Sequence, residues 1–129
     1  LNHRSGLAGL AGTPDMREVL RRSEAGDADA ELALAVYVHR LRGHIGAMAA
    51  AVGGLDALVF TGGVGERAPV VRARTTAGLG FLGLDVDPRL NDAATQDADV
   101  STDGARARCL VVAAREDVQI AAEVRAVLG

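Results

Sequence analysis

Three glycines and two carboxylates are the residues of this chain whose types and spacing can do chemistry. Gly62, Gly63 and Gly65 fall in Leu55–Pro69, LDALVFTGGVGERAP. Ahead of them, Ala57 to Phe60 is an apolar run without alternation, the pattern of a strand buried on both faces. The glycines predict a sharp bend free of side chains. Pro69 suits the first turn of a helix, where its missing N–H costs nothing. A strand, a bare loop and a helix start aim backbone N–H groups and a positive helix end at one point, the arrangement that holds phosphate. Glu116 follows a second apolar run, Ala107 to Ala113. An acid at the carboxyl end of a parallel strand lies on the ligand-binding edge of the sheet, where it can hold Mg²⁺ directly or through water. The same acid also suits a helix N-terminus on charge alone. Asp15, before the helical stretch Met16 to Glu24, reads as an N-cap.

Two glycine-loop chemistries compete. Gly63-Val64-Gly65-Glu66-Arg67-Ala68 fits the dinucleotide fingerprint G-x-G-x-x-G/A, with Asp85 or Asp87 about twenty residues on as the ribose acid. A phosphate loop of the G-x-x-x-x-G-K-[ST] kind is excluded, because the chain has no such run and no suitably placed Lys.

The elements that must position these groups alternate. The segment Asp27–Val52 carries Leu34, Val38, Leu41, Ile45, Met48 and Val52 on one helical stripe. Its C-terminal half is thinned by Gly43, Gly46 and a run of alanines, and Gly53-Gly54 ends it. Pro69 to about Leu79 predicts another helix, Leu84–Val86 a short strand ended by Asp87-Pro88, and 89–106 a polar surface with a hairpin edge near Val100. Ala107–Ala113 predicts a second buried strand, and a final helix shares Ile120, Ala121, Val124, Val127 and Leu128 on a face. Helices alternating with strands mean an α/β fold, a sheet covered by helices on both faces.

Composition narrows the function. The 129 residues make one domain able to bury a core. A net charge of −3 and a single Tyr, two Phe and no Trp leave neither the basic footprint nor the stacking platforms of a nucleic-acid binder. No apolar run approaches the ~20 residues of a membrane helix, and the expected compartment is the cytoplasm. Cys109, inside an apolar run, reads as a buried structural thiol. His39 and His44 are five apart, off the i, i+4 spacing that puts two ligands on one helix face, and with Arg40 and Arg42 read as a solvated or interface stripe. The chain opens at Leu1 on LNHRSGLAGLAG with no strand before it, as expected of a piece of something longer.

Taken together, several stretches resemble the C-terminal part of the acetate kinase family, within the group that includes sugar kinases, actin and the heat-shock chaperone ATPases. They are Leu1-Asn2 with Ser5-Gly6-Leu7, Asp15-Met16-Arg17, Arg42 to Ala51 before Gly53-Gly54, Val59 to Glu66, Gly80 to Leu84, and Glu116 with Ile120-Ala121. The resemblance covers essentially the whole chain. It implies the C-terminal portion of an actin-like (ribonuclease H-like) ATPase fold with a mixed sheet covered by helices on both faces, one domain over 1–129 forming the nucleotide-binding half of a longer two-domain kinase. It implies ATP contacts at Asp15, Met16, Arg17, Gly63, Val64, Gly65, Glu66 and Arg67, with Mg²⁺ at Glu116. The implied reaction carries the γ-phosphoryl of ATP to acetate or a similar short-chain carboxylate, in a homodimer formed through this domain. Two departures stand out. The family loop continues Gly-Glu-Asn-Ser where this chain has Gly65-Glu66-Arg67-Ala68, and Arg115 replaces an Asn before Glu116. The family's arginines at the transferring phosphoryl lie upstream of Leu1, so this chain alone is expected not to catalyse. The rival expectations are a nicotinamide-binding fragment using Gly63–Ala68 with Asp85, and a non-catalytic stand-alone remnant.

Overall fold

A computed structural model describes residues 6–115, 120 and 123–127 of the chain. The sequence-predicted roles of Glu116, Leu1, Asn2, Ser5, Ala121 and Leu128 lie outside the described residues.

The helices start where side chains can satisfy their first N–H groups. After a short α1, Leu7–Ala11, helix α2 spans Met16–Glu24 with Asp15 as N-cap, and α3 spans Ala28–Val52 with Asp27 as N-cap. The Asp27 carboxylate accepts from the N–H groups of Asp29 and Ala30 at 3.0 and 3.1 Å. Gly53, at φ 79°, ends α3 in the left-handed conformation that glycine reaches without strain. The 25 residues of α3 make it about 38 Å long, and it outruns the core it serves. Ala30, Ala33, Leu34 and Val38 are buried with Val19 of α2 and Val71, whereas Met48 and Val52 at the far end are 63% and 76% exposed. The expected stripe is therefore core in its first half and surface in its second.

The sheet has three strands. β1 (Ala57–Phe60) and β3 (Arg108–Val111) run parallel with Leu58 opposite Cys109 and Phe60 opposite Val111. β2 (Ala98–Asp99) joins the other side of β3 antiparallel, giving the order β1-β3-β2 and the mixed sheet that was expected. Phe60, Cys109 and Val111 face a core completed by Leu79, Leu84 and Val100. Val59, on the opposite face, is 49% exposed. The unbroken apolar run of β1 suggested burial on both faces, but among the described residues β1 has one strand neighbour and one covered face.

Four segments differ from the sequence expectation. The glycines are not a bare loop: Gly62–Arg67 is a short helix, α4, and α5 follows at Pro69–Ala77 with Pro69 in its first turn. Asp87-Pro88, read as the end of a strand, begins helix α6, Pro88–Ala93. The Asp87 carboxylate accepts from Arg89 and Leu90 N–H, and proline pre-sets the first turn. Leu84 and Val86 make isolated bridges, to Ala107 and Ser101, instead of a strand. Arg42 is not a solvated residue: its guanidinium donates to the carbonyls of Arg74 and Thr75 at the end of α5, tying α3 to that helix. Of the final helix face, Ile120, Val124 and Val127 are exposed.

Candidate nucleotide site

The start of α2 and the glycine helix α4 meet across a cavity of about 310 Å³. Its walls include Asp15, Met16, Arg17, Gly63, Val64 and Arg67, with Leu7 and Leu20 behind them. Six of the eight residues that the family resemblance implies for ATP thus share one hollow, although two separate segments supply them. Gly65 and Glu66 do not line it.

On the α2 side, Asp15 does two jobs. Its Oδ1 accepts from the Arg17 N–H at 3.0 Å, the cap bond, and the Arg17 guanidinium grips the carboxylate at 2.9 Å (Nη2 to Oδ2) and 3.2 Å (Nε to Oδ1). The hydrogen bond from that guanidinium, above all, holds the Asp15 carboxyl below its ordinary value. The Arg17 side chain is 84% exposed, so the pair is solvated and can open toward a ligand.

On the α4 side, each glycine has its own reason. Gly62 sits at φ 74°. A Cβ on Gly65 would come within 3.2 Å of the Phe60 carbonyl carbon, so α4 presses directly on the end of β1. Gly63 has neither constraint: a Cβ there meets nothing within 4 Å, and its open side is the cavity. Thr61 precedes the helix without capping it. The Glu66 carboxylate does so instead, Oε1 accepting from the Gly62 N–H at 2.8 Å and also from the Ala114 N–H at 2.8 Å.

The structure adds a residue that sequence reasoning missed. Arg72 of α5 is 0% exposed. Its Nη1 donates to the carbonyls of Gly65 and Glu66 at 2.8 Å each, and Nε and Nη2 donate to Oδ1 and the main-chain oxygen of Asn91 at 2.7 Å. The guanidinium thus fixes the C-terminal end of α4, where a cation is favoured. The available signal was an arginine in register with Thr75, Thr76 and Leu79 on the apolar side of α5.

The remaining candidates fall elsewhere. Asp85 lines a different, larger hollow of about 510 Å³ between α5 and α6, where its carboxylate accepts from the Thr102 hydroxyl at 2.8 Å. Asp87 is occupied as the α6 cap. A ribose acid is thus not brought to the glycines, and the dinucleotide reading loses its second element. Arg115, next to Glu116, pairs with Asp97 at 2.6 Å. His44 borders an apolar hollow beside Leu10 and Tyr37. Among the described residues no three His, Cys, Asp or Glu are grouped to hold a metal.

Comparisons with known proteins bear on the fold and the family. The fold is that of acetate kinases, an actin-like ATPase fold of which this chain makes about a third. It matches the crystal structure of Porphyromonas gingivalis acetate kinase with a TM-score of 0.88 at 33% identity, over 98% of this chain and 32% of that one. A propionate kinase from Francisella tularensis matches with a TM-score of 0.82 at 34% identity, over 92% of this chain and 30% of that one.

The family model for the acetokinase family matches residues 1–122, and the chain belongs to that family. It is 52% identical to an acetate kinase of Synechococcus over 94% of this chain and 30% of the relative. It is 48% identical to one from Clavibacter sepedonicus over the whole chain and 33% of the relative. The chain therefore spans about a third of the length of the curated relatives it matches.

Proposed function

We propose that this chain is the adenosine-side, metal-holding part of an enzyme that transfers the γ-phosphoryl of ATP reversibly to acetate or a similar short-chain carboxylate, giving acetyl phosphate and ADP. The supporting observation is the shared cavity: Asp15–Arg17 and Gly63, Val64 and Arg67, far apart in sequence, face one hollow. Gly63 lets backbone approach the nucleotide without a side chain between, and Val64 and Leu20 offer an apolar wall. Arg17, released from Asp15, and Arg67 supply positive charge for phosphate oxygens. Arg67 stands where the family has an amide, so it exchanges a neutral hydrogen-bonding group for a cation. Gly65 contributes by letting α4 sit against β1.

Mg²⁺ would be held by Glu116, the first carboxylate in the sequence after β3. This ion is commonly held by one or two carboxylates together with phosphate oxygens and water. It would neutralise charge on the phosphoryl oxygens, while the residues of this chain bind and orient the nucleotide. The residues that act on the transferring group belong to the part of the family's length that this chain does not span. A single domain over 1–129 serves as the nucleotide-binding half of that longer enzyme. A homodimer through this domain accounts for the exposed apolar end of α3, Met48 and Val52. A reaction that draws on ATP belongs in the cytoplasm.

The test is MgATP affinity of Gly63→Val beside wild type, by calorimetry. A Cβ at Gly63 is free of protein contacts, so the fold tolerates it while the cavity narrows. Affinity is expected to fall at least about tenfold, or 1.4 kcal/mol, with an unchanged melting temperature. Equal affinity removes the cavity from the reading. Gly65→Val is the poorer probe, since the Phe60 backbone obstructs it.

A further inference from the structure

The geometry points to Glu66 as a positioning residue that locks the glycine helix to the chain leaving β3, and not as a contact to the nucleotide. Glu66 leaves the cavity to its neighbours Val64 and Arg67. Its Oε1 accepts two backbone N–H groups at 2.8 Å, from Gly62 directly after β1 and from Ala114 shortly after β3. β1 and β3 are adjacent and parallel, so their carboxyl ends emerge side by side. One carboxylate oxygen therefore sets the spacing between the two segments that leave the sheet there. Both bonds are made to a charged acceptor and are correspondingly strong.

The clamp has a second end. Arg72 holds the carbonyls of Gly65 and Glu66 itself, so the glutamate is fixed by its main chain while its side chain reaches back to Gly62. A six-residue helix with three glycines has little propensity of its own. These external bonds keep it helical. The functional consequence rests on the proposed reading, in which Gly63–Val64 bind the nucleotide. Glu66 then holds Gly63 and Val64 in place for the nucleotide, and it acts through Gly62 and Ala114.

Four proteins test this in the whole polypeptide: wild type, Glu66→Gln, Glu66→Ala and Glu66→Asp. The glutamine keeps an oxygen with two lone pairs at the same reach. The aspartate keeps the charge but is one methylene too short. Positioning predicts that Glu66→Gln binds MgATP within about threefold of wild type, and that Glu66→Ala and Glu66→Asp each lose about tenfold or more. A purely structural role would lower the melting temperature of Glu66→Ala and Glu66→Asp and leave their MgATP affinity alone. Should Glu66→Ala fail to fold, Glu66→Asp carries the comparison. Equal losses in Glu66→Gln and Glu66→Ala mean that the charge itself touches ligand or metal, and overturn the proposal. An unaffected Glu66→Ala overturns it as well.

Residue-resolved hydrogen exchange reads the clamp independently of any ligand. Protection at Gly62 and Ala114 should fall together in Glu66→Ala and persist in Glu66→Gln. Loss of both protections in a protein that never binds MgATP would sink the nucleotide reading and leave the clamp standing. Unchanged protection in a protein that does bind would sink the clamp alone.

Discussion

Arg72 donates to both oxygens of Asn91, Nε to Oδ1 and Nη2 to the main-chain carbonyl, each at 2.7 Å and out of contact with solvent. The pair joins α5 to α6, and Asn91 returns a bond from Nδ2 to the Pro69 carbonyl at 2.9 Å. The guanidinium donates to carbonyl and amide oxygens, and desolvation pushes its pKa below the ordinary arginine value. The planar fork matches four acceptors at once, which an ammonium cannot do.

Arg72→Lys is therefore expected to be nearly as damaging as Arg72→Met. Each should lower unfolding free energy by about 3 kcal/mol or more, because buried carbonyls lose their donors. Urea titration checks this, and a double-mutant cycle with Asn91→Ala should show strong non-additivity. A lysine variant close to wild type would mean that charge alone suffices.

Cys109 is fully buried, with its N–H accepted by the Ser101 hydroxyl at 2.6 Å. Burial pushes its thiol up from the ordinary 9.0 to about 11. The folded state thus holds the proton when the unfolded state has released it. The contribution is complete below pH 9 and is lost as pH rises toward 11. Wild-type stability should fall over that window by about 3 kcal/mol more than that of Cys109→Ala. Thiol reagents at pH 8 should label the thiol only as fast as the protein opens.

Asp15 and Arg17 separate capping from binding. Asp15→Ala should lower the melting temperature through loss of the cap, and Asp15→Asn much less, since its amide oxygen still accepts from the α2 N–H groups. Arg17→Ala should leave the melting temperature within about a degree, because the pair it breaks is solvated. Its MgATP affinity should nevertheless fall several-fold. The Asp15 carboxyl is depressed, so its charged cap is present above the ordinary carboxylate value and lost as pH falls through the lowered one. A calorimetric series from pH 7 to 3, run beside Asp15→Asn, isolates that acid step.

How much of this was legible in the sequence depends on where each element's stabilisation comes from. α2 and α3 carry their own start signals, Asp15 and Asp27, and α3 its own stop at Gly53, so both were visible. β1 and β3 showed through their apolar runs, and Cys109 through its place in one. Helix α4 was hidden because glycine is a poor helix former and its support comes from Arg72 and Glu66, long-range contacts that no local pattern carries. α6 was hidden because Asp-Pro signals a strand end and a helix start alike. Asp15–Arg17 and Gly63–Arg67 entered as ATP residues through family resemblance, and only the folded chain puts Asp15–Arg17, Gly63, Val64 and Arg67 around one cavity.

The outer side of β1 has the widest practical consequence. Along Ala57–Phe60 the backbone groups turned away from β3 have no strand to bond among the described residues, and Val59 lies bare beside them. Such a margin is adhesive: two copies can zip there, and the tendency grows with concentration. A polypeptide that lays its own strand along that margin silences it, so the same four residues that seat the glycine helix also govern whether a preparation stays clear or turns cloudy.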